Sequence, residues 1–120
     1  MTNEQIHKRK FDLEDRTLKF AKDVRAFVTS LPKTVATIED GKQVVRSSGS
    51  IGANYIEANE SLSRKDFGMR IKICRKEAKE TRYWLQILDI GTSALIADRD
   101  RLIAEATELL KIFNAIVQKI

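Results

Sequence analysis

Residues 63–88 read SRKDFGMRIKICRKEAKETRYWLQIL. Within them Phe67, Ile71, Cys74, Ala78, Thr81, Leu85 and Leu88 recur at steps of 4, 3, 4, 3, 4 and 3. A half-buried strand would alternate every second residue, whereas this spacing keeps seven apolar or small side chains on one helical stripe. A repeat of this length suits left-handed, nearly aligned helix packing. Ser63 stands where its hydroxyl can accept from the free N–H groups of the first turn, and Asp66 completes a capping-box pattern. The spacing therefore predicts a helix from Ser63 to Ile90, stopped at Gly91 and on the order of 40 Å long at about 1.5 Å per residue.

The same period continues on both sides. From Asp12 to Ser30, the residues Leu13, Thr17, Phe20, Val24, Phe27 and Leu31 define a first helix, which Pro32 ends because the residue before a proline avoids the helical region. A second is predicted from Ile38 to Glu60, with Val45, Ser48, Gly52, Tyr55 and Asn59 as its stripe and Val44, Ile51 and Ile56 beside it. Its centre, residues 47–53, is small. Two interior glycines cost about 1 kcal/mol each relative to alanine, and the expected return is the close approach of another helix. A fourth helix runs from about Asp98 or Asp100 to the C-terminus, carrying Leu102, Ala106, Leu109, Phe113, Ile116 and Ile120. Short connections near 31–37 and 61–62 favour one all-α domain over residues 1–120. The expected form is an antiparallel up-down-up-down, left-handed four-helix bundle with a flexible N-terminus of about ten residues.

Composition agrees with a helical bundle and removes several classes of function. The 120 residues are 42% hydrophobic and 32% charged, with one proline: too apolar for a disordered chain and too poor in turn residues for an all-β fold. No apolar run approaches the ~18 residues of a membrane span and no signal peptide is visible, so a cytoplasmic protein with no membrane partner is expected. One cysteine, Cys74, and one histidine, His7, leave no material for an intrachain disulfide, a cysteine zinc cluster or a histidine-based site. Gly49-Ser50-Ile51-Gly52 lacks the preceding strand of a phosphate loop. No catalytic residue, metal or cofactor is therefore expected. Glu77 and Glu80 lie beside the core stripe, and Asn54, Glu57 and Asn59 occupy half-buried positions. Without a nucleophile or histidine, these read as a polar network, with Asn54 or Glu57 bonded to Arg46, Lys76 or Arg82, that fixes helix register.

The net charge of +5 is unevenly placed. Residues 63–88 carry eight basic and three acidic side chains, while the second and fourth helices are slightly acidic. A basic stripe on a rigid helix can track phosphates, and Arg70, Lys72, Arg75, Lys76 and Lys79 are the candidate nucleic-acid contacts, for RNA or DNA. The competing reading of these charges is a solvated face. Met69, Ile73, Tyr83, Trp84 and Ile87 lie off or at the border of the core stripe and are the candidate oligomer interface, or a surface for a protein partner.

Residues 45–58, VRSSGSIGANYIEA, resemble the signature of the four-helix bundle proteins called 23S rRNA intervening-sequence proteins: an Arg, then Ser-Ile-x-Ala-Asn-x-x-Glu, then a Ser/Lys-rich turn before an aromatic residue. Here these are Arg46, Ser50 to Glu57, and Ser61 to Phe67; the chain departs from many members at Ala58-Asn59, where they carry a Gly after the Glu. The likeness extends over roughly residues 8–120. It implies a bacterial, cytoplasmic, left-handed antiparallel bundle assembling as a ring-shaped homopentamer without known catalytic activity. Related proteins are accessory factors of diversity-generating retroelements, where a basic pentamer binds nucleic acid and a reverse transcriptase.

Overall fold

The structure is a computed structural model; it describes residues 2–120, and of residues 6–11 the backbone alone. Four helices account for most of the chain: α1 (Asn3–Thr29), α2 (Val35–Asn59), α3 (Arg64–Ile87) and α4 (Ser93–Gln118). Each starts on a hydroxyl. Thr2 accepts from Gln5 N–H and Thr34 from Thr37 N–H, both in reciprocal capping boxes. Ser63 accepts from Asp66 N–H and Thr92 from Leu95 N–H. These caps satisfy donors that a helix start leaves free.

Contacts between neighbours run in opposite directions along the chain. Across α1 and α2, Glu14 accepts from Asn59, while Val28 lies against Gly41. Across α2 and α3, Arg46 meets Glu80 and Asn54 meets Arg70. Across α3 and α4, Arg75 meets Asn114, while Arg99 donates to the Leu88 carbonyl. Arg16 closes α1 on α4 with two hydrogen bonds to Glu105, at 2.7 and 2.8 Å, and these bonds raise its already high pKa further. The helices thus form an antiparallel bundle, 47 Å long and 20–23 Å across.

The core stripes predicted for the first and third helices are buried from Leu13 to Leu31 and from Ile71 to Leu88, with Phe67 half-buried. The second helix is rotated from its expected setting. Val44, Ser47, Ser48, Ile51, Tyr55 and Ala58 are buried, whereas Val45 is half-buried and Ile56 exposed. Its small centre does what the glycines suggested: a Cβ on Gly52 would lie 2.9 Å from Thr17 Oγ1 and one on Gly49 3.2 Å from Arg25.

Four helix boundaries move. The first helix begins at Asn3, because the Thr2–Gln5 box caps a polar segment that lacks apolar period; the flexible segment expected over residues 1–10 is helical from Asn3, and Met1 lies outside the described residues. The second begins at Val35 instead of Ile38, because Thr34 caps it in a reciprocal box with Thr37. The third stops at Ile87, with Leu88 extended at φ −58° and ψ 122°. Leu88 and Ile90 then seal the core from a loop. The fourth begins at Ser93, since Thr92 caps it earlier than the apolar stripe suggests. Ile120, counted as stripe, is exposed. Among the described residues, no helix is long and apolar enough to cross a membrane.

Candidate nucleic-acid interface

Helix α3 has two flanks outside its core stripe. One leans on α2. There the Cys74 thiol donates to the Ile51 carbonyl at 3.4 Å, the Thr81 and Ser47 hydroxyls are hydrogen-bonded at 2.8 Å, and Thr81 also donates to the Glu77 carbonyl. The Cys74, Thr81 and Ser47 side chains are fully buried, and burial pushes the Cys74 thiol up to about 12. Glu77 is buried too. Its Oε2 lies 3.5 Å from Arg46 Nη2 but takes part in no hydrogen bond. Arg46 reaches Glu80 as well, at 3.3 Å. Both carboxylates of the middle of α3 are therefore turned toward α2 and share one guanidinium.

The polar network is present, but its pairing differs from the expected one. Arg46 serves Glu77 and Glu80 instead of Asn54 or Glu57. Asn54 donates to the Ser50 carbonyl and hydroxyl one turn back and accepts from Arg70 at 3.1 Å. Glu57 is exposed, because the rotation of α2 carries it out of the seam.

The other flank faces solvent and α4. Lys72, Lys76 and Lys79 are exposed on successive turns, and Arg75 at their edge donates to Asn114 Oδ1 at 3.3 Å. Lys76 has only a long contact with Glu80, at 4.0 Å. Among the described residues Lys72 and Lys79 have no carboxylate partner. The five candidate cations thus divide: four share the outer strip, while Arg70 lies on the α2 flank against Asn54. Arg70 and Arg75 are held by neutral amides, and among the described residues neither forms an ion pair with a carboxylate.

The apolar candidates divide as well. Met69, Tyr83 and Ile87 are 54%, 55% and 42% exposed, whereas Ile73 and Trp84 are half-buried. Met69 and Ile73 stand near the α2–α3 turn. Tyr83, Trp84 and Ile87 stand at the opposite end, and Glu80 with Arg46 lies between the two groups. Trp84 packs on the core and meets Tyr83 edge-on, with ring centroids 5.4 Å apart. Sequence reasoning missed Leu62, which is fully exposed in the α2–α3 turn, and Val35, 84% exposed at the start of α2. No periodic signal marks either one, since both lie at helix ends. No cluster of potential metal ligands occurs among the described residues.

This arrangement explains the motif of residues 46–57 as a packing device. Ser47 bonds α3, Ile51 fills the core, Gly52 admits α1, and Asn54 links Ser50 to Arg70. The family model for the 23S rRNA-intervening sequence protein matches residues 9–115. The chain belongs to this family. A solved structure with the same fold is a protein of unknown function from the S23 ribosomal protein family of Bacteroides thetaiotaomicron VPI-5482. It is 31% identical, superposes with a TM-score of 0.76, and the match covers 91% of this chain and 97% of that one. No curated protein matches. Family membership agrees with the helical bundle and leaves the activity to be argued from the surface of α3.

Proposed function

We propose that this 23S rRNA-intervening sequence protein is a non-enzymatic, self-associating bundle that binds RNA or DNA through the outer flank of α3 with little sequence selectivity. The observation that carries this reading is the segregation of charge on one helix. Glu77 and Glu80 turn to Arg46 on α2, leaving Lys72, Arg75, Lys76 and Lys79 as an outer strip with almost no acidic counterpart. A solvated face that served only solubility would gain by interspersing both signs. Successive helical turns bring a cation round about every 5.4 Å, a spacing suited to a line of phosphates. No groove-reading motif accompanies the strip, so binding is electrostatic and releases counterions.

Self-association multiplies the field; a homopentamer would carry five times the +5 of one chain. Its apolar contribution is assigned to Met69 and Ile73 at the turn end of the α2–α3 face. The alternative, an interaction module without a nucleic-acid role, draws on the exposure of Met69 and Ile87. A mobility-shift series with RNA and with DNA from low to moderate salt separates the two, on protein whose mass has been fixed by light scattering. Steep loss of binding with salt supports the proposal. Absence of binding at low salt, or binding indifferent to salt, leaves the interaction module.

A further inference from the structure

Where the outer strip of α3 reaches its C-terminal end, the surface is concave. Gln43 and Arg46 of α2 and Lys79, Glu80, Tyr83 and Trp84 of α3 line a hollow of about 550 Å³, within the ~300–1,000 Å³ range of small-ligand clefts. Two aromatic rings set at 75° form one wall. Trp84 is anchored on the core, so it is held in place, while Tyr83 is more than half exposed. Glu80 is the only acidic group of the lining, and its charge is met by Arg46 at 3.3 Å and Lys76 at 4.0 Å. Lys79 borders the hollow and also ends the line of exposed lysines that begins at Lys72.

We infer that this hollow takes one unpaired nucleobase, stacked on the face of Tyr83 with Trp84 set against its edge, with Lys79 on its phosphate and the flanking nucleotides following Lys76 and Lys72. The inference rests on the nucleic-acid reading and deepens it: the preferred ligand is single-stranded. Aromatic platforms bind bases of any identity by their faces, which a duplex hides, and a neighbouring cationic track holds the backbone. The Gln43 amide supplies both a donor and an acceptor at the hollow's edge. The continuity of the aromatic wall with unpaired lysines favours a polynucleotide over a protein ligand, because that track continues for two turns beyond the hollow.

The test uses the full-length protein in its native assembly. Trp84 is the sole tryptophan, so its fluorescence reports on this hollow alone. Oligo-dT and oligo-U are titrated at low salt beside a DNA duplex of equal length, with gel mobility followed in parallel. Saturable quenching by a single strand over the range in which it shifts the protein supports the inference, and the two sugars show whether RNA or DNA is preferred. Tyr83→Ala changes an exposed side chain and leaves the fluorophore. It should weaken single-strand binding by at least about fivefold, the lower end of one lost stacking contact, while duplex binding stays within about twofold. Single strands that shift the protein without altering Trp84 emission overturn base stacking and leave the broader proposal standing. So does Trp84 shielded from acrylamide in the free assembly, which would mean that another copy covers the hollow. If no nucleic acid shifts the protein at low salt, the nucleic-acid proposal falls first and the base site with it.

Discussion

The two flanks of α3 are built from one helical period and do opposite things. Toward α2 the side chains are mostly paired, and the small ones are dry: Cys74 on the Ile51 carbonyl and Thr81 on Ser47, with Glu77 and Glu80 on Arg46 and Arg70 on Asn54. Away from α2 they are long, cationic and mostly without carboxylates. The difference shows how a helix can hold its neighbour and still present charge. Acidic residues are spent on the seam, where Glu77 and Glu80 share one guanidinium and Glu80 keeps a long contact with Lys76, so Lys72 and Lys79 have no carboxylate partner among the described residues. A buried carboxylate contributes little net stability even when paired. Its consequence here is register and the one-sided field that register leaves behind.

The contrast can be broken first by packing. Ile71→Ala, in a fully buried position, should cost about 2–5 kcal/mol in denaturant unfolding, whereas Lys72→Ala beside it should stay within about 0.5 kcal/mol. Equal losses at the two positions would erase the distinction between flanks. Next comes the shared guanidinium. Arg46→Met strands the buried Glu77 and should destabilise by about 1–3 kcal/mol, less than a fully buried pair because Arg46 is half exposed. Glu77→Gln in the same background should recover much of that loss; a double variant no better than the single one would show that Arg46 acts through packing instead.

A pH-dependent effect tests how dry the seam is. The Cys74 thiol holds its proton up to about pH 12 in the native state, against roughly 8.5 in an unfolded chain. A raised native value contributes stability that is whole below the unfolded value and declines as pH rises toward the native one. Unfolding midpoints should therefore drop between pH 8 and pH 10.5 by more in the native protein than in Cys74→Ala. An identical drop in both would place the thiol in contact with water.

Much of this was legible in the sequence, for reasons specific to each element. Helices α1 and α3 carry unbroken apolar stripes, and their core residues follow directly. Helix α2 does not, because its seam residues are Ser47, Ser48 and Gly52, which hydropathy scores as surface; its rotation by about one residue became visible only from what Thr17 and Thr81 touch. The helix ends were misplaced where Thr2, Thr34 and Thr92 cap earlier than the apolar pattern begins. The basic strip was legible as composition. That Arg70 lies on the other flank, and that Arg46 collects both glutamates, depends on contacts between residues 16 to 34 apart in the chain, which no local pattern encodes.

The central claim is that the outer flank of α3 meets phosphates. Its most direct test is the salt dependence of DNA binding by the native protein and by a Lys72→Gln, Lys79→Gln double variant, which removes two exposed charges and no packing. The slope of log affinity against log salt should fall by about two for each protomer engaged, at roughly 0.9 per lost contact, with stability unchanged. An unaltered slope and affinity in the variant would show that these lysines face only water.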